Sequence, residues 1–152
     1  MLAGGSVGYG EALPSTLNLG AFGAVVVGPI TRHSRRGSEP PRLAESVAGL
    51  VLQTGLQNRG VRSVLRDFAR LWPRLGLPVV AQVADAEPED ALVTGARLAQ
   101  AEGVAGLELL LARDADRRQA AELVKLLVRR VDLPLLVKLP LERAAELAGP
   151  CV

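Results

Sequence analysis

Lys138 interrupts an apolar run, with Pro134-Leu135-Leu136-Val137 before it and Leu139-Pro140-Leu141 after it. A lysine in such company needs a route to water along its own stem or an anionic partner. It is therefore either a strand-end residue reaching solvent or a positive charge held ready for a ligand. A basic cluster, Arg32-His33-Ser34-Arg35-Arg36, suits an anion such as a phosphate, although a solvated loop is the ordinary reading of such a run. Asp114 and Asp116 could accept a proton in principle, but carboxylates of ordinary acidity are poor bases, and acids in this position more often start a helix. One histidine and one cysteine, His33 and Cys151, lie too far apart in the chain to suggest a metal site.

The most distinctive stretch runs from Gly37 to Gly60, GSEPPRLAESVAGLVLQTGLQNRG. Pro40-Pro41 disfavours helix before each proline and removes two backbone donors, so residues 37–41 read as an extended or turning loop, with a short helix starting at Arg42. Gly55 and Gly60 bracket Leu56-Gln57-Asn58-Arg59, where glycine permits positive φ or close backbone approach. Such a loop either cradles a flat molecule or simply turns the chain between two helices.

The elements that would position these residues alternate regularly. Strands are expected at Ala24 to Val27, Pro78 to Val83, Gly106 to Leu111 and Pro134 to Leu139, as short apolar runs of the kind buried on both faces of a parallel sheet. Between them, Val61, Val64, Leu65, Phe68 and Trp72 fall at helical spacing, with Trp72 expected in the core rather than stacked on a cofactor. Glu87-Pro88 opens a helix to about Glu102, with Gly103 placed to end it. Asp116 to Val131 and Glu142 to Leu147 read as two more helices. This βα alternation implies a parallel sheet with outer helices and right-handed crossovers. A doubly wound sheet is the alternative arrangement of the same elements, although no G-x-G-x-x-G turn follows a strand.

The 152 residues, 49% hydrophobic and 22% charged, suit a globular protein with one core, read as a single domain over residues 1–152. A formal charge of +2 with scattered basic residues, and only four aromatic residues (Tyr9, Phe22, Phe68 and Trp72), argue against a nucleic-acid partner. No run approaches the ~20 apolar residues that span a bilayer, and the first thirteen residues lack a basic leading region. With a lone cysteine, the expected location is cytoplasmic, without a membrane partner.

The pattern G-S-E-P-P-R-L-A-E-S followed by G-L-Q-N-R-G resembles the dihydroorotate dehydrogenase family. Further landmarks of that family follow in order: Ala3-Gly4-Gly5 with Gly8-Tyr9-Gly10, Gly23-Ala24-Val25-Val26 with Ile30-Thr31, Leu107-Glu108-Leu109, and Pro134 to Leu139. The resemblance implies an FMN-dependent oxidoreductase of pyrimidine biosynthesis on a (β/α)8 barrel. The chain holds about five of the eight βα units of such a barrel, a partial TIM barrel lacking its C-terminal part. Exposed edges of that kind imply a homo-oligomer, or a second chain that completes the barrel.

By resemblance, Ala3, Gly4, Gly5 and Lys138 would bind the cofactor, and Gly55, Leu56 and Asn58 would form the substrate loop, with Lys138 stabilising the reduced flavin. The family's base does not follow: its Asn-Leu-Ser-Cys-Pro-Asn motif is matched by Leu110-Leu111-Ala112-Arg113-Asp114-Ala115, which puts Arg113 in the place of the cysteine. Arginine stays protonated and cannot take a proton. A lysine after the family's second strand is matched by Gly28 and a substrate-binding asparagine by Leu52, while Gln82 stands where an asparagine is common. The late glycine-rich turns that hold the FMN phosphate have no counterpart, leaving Arg32, Arg35, Arg36 and Arg113 as the available positive charges. Three expectations result: a catalytically degenerate binding protein, an active oxidoreductase on another substrate completed by a second chain, or a structural subunit.

Overall fold

A computed structural model describes residues 1–14 and 16–151. In chain order the elements are β1 (Val25–Ile30), a hairpin of β2 (Leu43–Ser46) and β3 (Gly49–Leu52), α1 (Val61–Phe68), β4 (Val79–Val83), α2 (Pro88–Ala99), β5 (Val104–Leu110), α3 (Arg117–Arg130), β6 (Leu135–Lys138) and α4 (Ala144–Ala148). The main sheet has the order β1-β4-β5-β6 and is parallel throughout. Helices link the successive strands, giving an α/β fold that is an open segment of a (β/α) barrel and does not close on itself.

Successive strand residues point to opposite faces, and the alternation sorts the chemistry. Val25, Val27, Val79, Ala81, Val83, Leu107 and Leu109 join Ala91, Leu98, Leu123 and Leu127 of the helices in one buried core. Each buried valine or leucine among them contributes roughly 1.5–3 kcal/mol. The intervening residues, Gln82, Glu108, Leu136 and Lys138, occupy the other face. Only there does the sheet carry polar side chains.

About five strands are expected from the sequence, whereas the described residues form four in the main sheet, with an isolated bridge at Leu2 alongside β1. Leu2 pairs in parallel with Val25, donating from its N–H to the Ala24 carbonyl at 3.0 Å and accepting from the Val26 N–H at 2.9 Å. Farther along the same segment, the Tyr9 ring lies 4.9 Å from that of Phe68, and the Tyr9 carbonyl accepts a 2.9 Å hydrogen bond from the buried indole of Trp72. Trp72 is core, as expected, but belongs to a short 3-10 turn (Trp72–Arg74) beyond the end of α1.

The helix expected from Arg42 is instead the β2–β3 hairpin, paired from Leu43↔Leu52 to Ser46↔Gly49. The stretch between Pro41 and Gly49, whose φ is +147°, is too short for a stable helix. Gly49 turns the chain at Val47-Ala48, and the Ser46 hydroxyl donates to the Gly49 carbonyl. Arg42 anchors the base, its guanidinium donating to the carbonyls of Ser38 and Arg36 and to Oε1 of Gln57. All eight strand residues of the hairpin are exposed.

Smaller differences lie at helix ends. α2 stops at Ala99, short of Glu102, and Gly103 turns the chain at φ +87° with its backbone packed on Trp72 and Pro73. The helix expected from Glu142 begins as a 3-10 turn at Leu141–Arg143 before α4.

Candidate functional site

The carboxyl ends of β4 and β5, the outer end of β3 and the loop that follows it enclose a cleft of about 450 Å³. Its apolar lining comes from Leu52, Leu56, Leu110, Leu111 and the alanines 84, 86 and 112; its polar lining comes from Arg35, Gln53, Thr54 and Arg113. The loop after β3 is held by backbone contact. Gly37 and Gly55 both have positive φ (+79° and +63°), and a methyl group on either would collide with the backbone of the other's segment, at Thr54 or at Ser38. Leu56 also has positive φ, +56°, which is uncommon for a non-glycine residue and costly unless its surroundings enforce it.

Asn58 supplies that enforcement. Its Oδ1 accepts from the Thr31 N–H (3.3 Å), the Thr31 hydroxyl (3.0 Å) and the Gly60 N–H (2.9 Å), while its Nδ2 donates to the Leu56 carbonyl at 2.9 Å. Gly55 and Leu56 thus line the cleft directly, and the buried Asn58 sits behind them, tying their loop to the end of β1.

Beside the cleft, across the β5–β6 ladder, Lys138 pairs with Leu110. Its ammonium stands 3.9 Å from Oε1 of Glu108, which also accepts a 2.6 Å hydrogen bond from Nε2 of Gln82. Three neighbouring strands therefore present a Gln82, Glu108, Lys138 row. The row meets the N-terminal turn: a methyl group on Gly4 would lie 2.6 Å from Nε2 of Gln82, whereas the space over Gly5 is open. Gly4 and Lys138 are thus gathered about one polar row. The sequence reading named Glu108 only within the Leu107-Glu108-Leu109 landmark and missed its pairing with Lys138, because an acid inside an apolar strand has no local pattern that names its partner.

Two positions explain themselves physically. Gly28 has φ +131°, and a Cβ there would meet Cβ and the carbonyl oxygen of Gln82 at 3.0 and 3.1 Å, so a lysine in its place would not fit this backbone. Asp116 caps α3, with its Oδ1 accepting from the Gln119 N–H at 2.8 Å while Oε1 of Gln119 accepts from the Asp116 N–H at 2.9 Å. Arg113 lines the cleft on a loop fixed by Arg143, which donates to the carbonyls of Arg113 and Ala115 at 3.2 and 2.7 Å.

A second buried acid also went unread. Asp85, just past β4, accepts from the Arg32 N–H at 3.0 Å and the Thr94 hydroxyl at 2.7 Å, and burial pushes its carboxyl above the ordinary range. Every acceptor it has faces protein, which makes it an anchor between the loop after β1 and α2. Among the described residues no group of three or more His, Cys, Asp or Glu is arranged to hold a metal, and no helix is long and apolar enough to cross a membrane.

An open parallel α/β barrel segment with a ligand-sized cleft at its strand ends defines a barrel-type binding architecture. A family model described as Dihydroorotate dehydrogenase matches residues 1–146, and the chain belongs to that family. It is 32% identical to the catalytic subunit of dihydroorotate dehydrogenase B (NAD(+)) from Desulforamulus reducens, over 97% of this chain and 54% of that protein. The corresponding subunit from Desulforudis audaxviator is 36% identical over 72% of this chain and 36% of its own length. Dihydroorotate dehydrogenase A (fumarate) from Lactiplantibacillus plantarum is 30% identical over 98% of this chain and 55% of that protein. The chain spans about half the length of these relatives at most.

Proposed function

We propose that this chain is a dihydroorotate dehydrogenase-like protein that binds a ligand in its cleft without oxidising dihydroorotate. The observation that carries this reading is the lining of the cleft, where Arg113 stands in the place of the family's base and no carboxylate, histidine or cysteine joins it. A permanently charged guanidinium holds an anion but removes no proton.

FMN fits the residues in part. Lys138, Gln82 and the open space over Gly5 suit the edge of a flavin ring, and Lys138 would offset charge on the reduced ring while sharing itself with Glu108. Among the described residues, the cleft offers the phosphate the side chains of Arg35 and Arg113. When bound, the flavin would supply the redox chemistry; the chain's part is to hold its ring. The lone cysteine, Cys151, supports a cytoplasmic setting.

A second reading is favoured by the open side of β6, where Leu136 is 42% exposed. There a second chain, or a second copy, would supply the remaining strands and a base, giving an active FMN-dependent oxidoreductase on another substrate. Without a base, the same surface would serve a purely structural subunit.

The deciding experiment is FMN titration of the purified protein by flavin fluorescence, with Lys138→Ala in parallel, followed by addition of dihydroorotate. Saturable binding weakened in Lys138→Ala, with no bleaching by dihydroorotate, is the expected result. Bleaching would overturn the non-oxidising reading.

A further inference from the structure

Among the described residues, neither cation of the cleft makes an ion pair within 4.0 Å. Arg35 reaches it from the loop after β1 and Arg113 from the loop after β5. Among the described residues, Arg32, Arg59, Arg66 and Arg143 each make an ion pair within 4.0 Å, and Arg35 and Arg113 make none. Nearby carboxylates are otherwise engaged: Asp85, which attracts Arg35 at longer range, is buried in its own hydrogen bonds, and Glu87 and Asp114 line an adjoining, smaller recess of about 200 Å³ that shares Ala86 and Ala112 with the cleft. Both arginines stand on pinned backbone. Arg35 exchanges hydrogen bonds with Asn58, N–H to carbonyl, at 2.9 and 3.1 Å, and the Arg113 carbonyl is held by Arg143.

The rest of the lining is mainly apolar, with leucines 52, 56, 110 and 111 and three alanines, and Gln53 and Thr54 as its uncharged polar residues. A urea-like ring buried against Leu52 and Leu110 would leave its N–H and C=O groups unpaired, whereas an apolar body would not. We infer that the cleft takes an amphipathic anion, a carboxylate or phosphate head on an apolar body, with Arg35 and Arg113 as its counter-ions. This assignment rests on the reading of the cleft as a binding site that lacks a base, and it names the ligand class. Guanidinium groups pair with either head in a two-pronged, charge-assisted geometry.

The test is calorimetric titration of the full chain with octanoate, octyl phosphate and, as the neutral control, octanol. At least one anion binds saturably, octanol binds at least about tenfold more weakly, and Arg35→Gln and Arg113→Gln each weaken the anion about tenfold. Arg113→Glu abolishes binding. Circular dichroism monitors folding of the variants, and anion affinity that falls with added salt while octanol affinity does not provides a measurement independent of them. Failure of both anions to bind, equal binding of octanol, or unchanged anion affinity in the Arg35→Gln/Arg113→Gln double variant overturns the assignment. Bleaching of FMN by dihydroorotate would instead overturn the non-oxidising reading and leave the arginine dependence to stand on these titrations.

Discussion

Nε2 of Gln82 donates to Oε1 of Glu108 across 2.6 Å, joining β4 to β5 at residues in direct register on the face that carries Lys138. Both side chains belong to buried residues, so each satisfies the other in a place water reaches poorly. Glu108→Leu would leave the Gln82 amide unpaired and Lys138 without its nearest anion. The expected loss is about 1–3 kcal/mol in urea unfolding. Glu108→Gln, which preserves shape and hydrogen-bonding capacity, should lose clearly less; equal losses would mean that packing, not polarity, matters at this position.

Asn58 holds two segments through four hydrogen bonds, and no other side chain replaces them. Asn58→Ala should destabilise the protein by about 3 kcal/mol, since at least the Thr31 and Gly60 N–H groups lose their acceptor in a buried setting. Amide exchange should quicken first at Thr31, Leu56 and Gly60. Uniform quickening across the whole sheet would show that Asn58 acts on global stability rather than on this loop.

Asp85 predicts a signed pH effect. Burial is the largest influence on it and raises its carboxyl above the ordinary value of 3.8, against the opposing pull of Thr94 and Arg32. A carboxyl raised on folding favours the folded state most fully at acid pH, and that contribution is lost as pH rises through the folded value. Relative to Asp85→Asn, the wild type should therefore gain stability as pH falls from neutrality toward 4. Asp67 and Glu146, held below the ordinary range by Arg66 and Arg143, act in the opposite sense but are common to both proteins and cancel. A difference that is flat with pH, or one that shrinks on acidification, would contradict this account.

The βα rhythm was legible because it rests on local signals. Apolar runs for β4 to β6, Pro88 at the first turn of α2 and the Asp116–Gln119 cap each sit within a few residues of what they specify. The hairpin at residues 43–52 was not legible, because none of its residues is buried and no periodicity marks it. At the site, Lys138, Arg113, Gly55 and Leu56 could be singled out by type. The partnership of Lys138 with Glu108 and the structural role of Asn58 depend on strands and loops that meet only in three dimensions.

The strand order β1-β4-β5-β6 follows chain order without a reversal. Each strand of the main sheet therefore finds its neighbour among residues already made, and no slot must be held open for a strand that emerges later. Such an order lets the sheet grow from one side, each strand adding beside the one before it, although the connection from β1 to β4 spans residues 31–78. The order is compatible with vectorial assembly, since a ribosome delivers the strands from the N-terminus in the order in which they lie in the sheet.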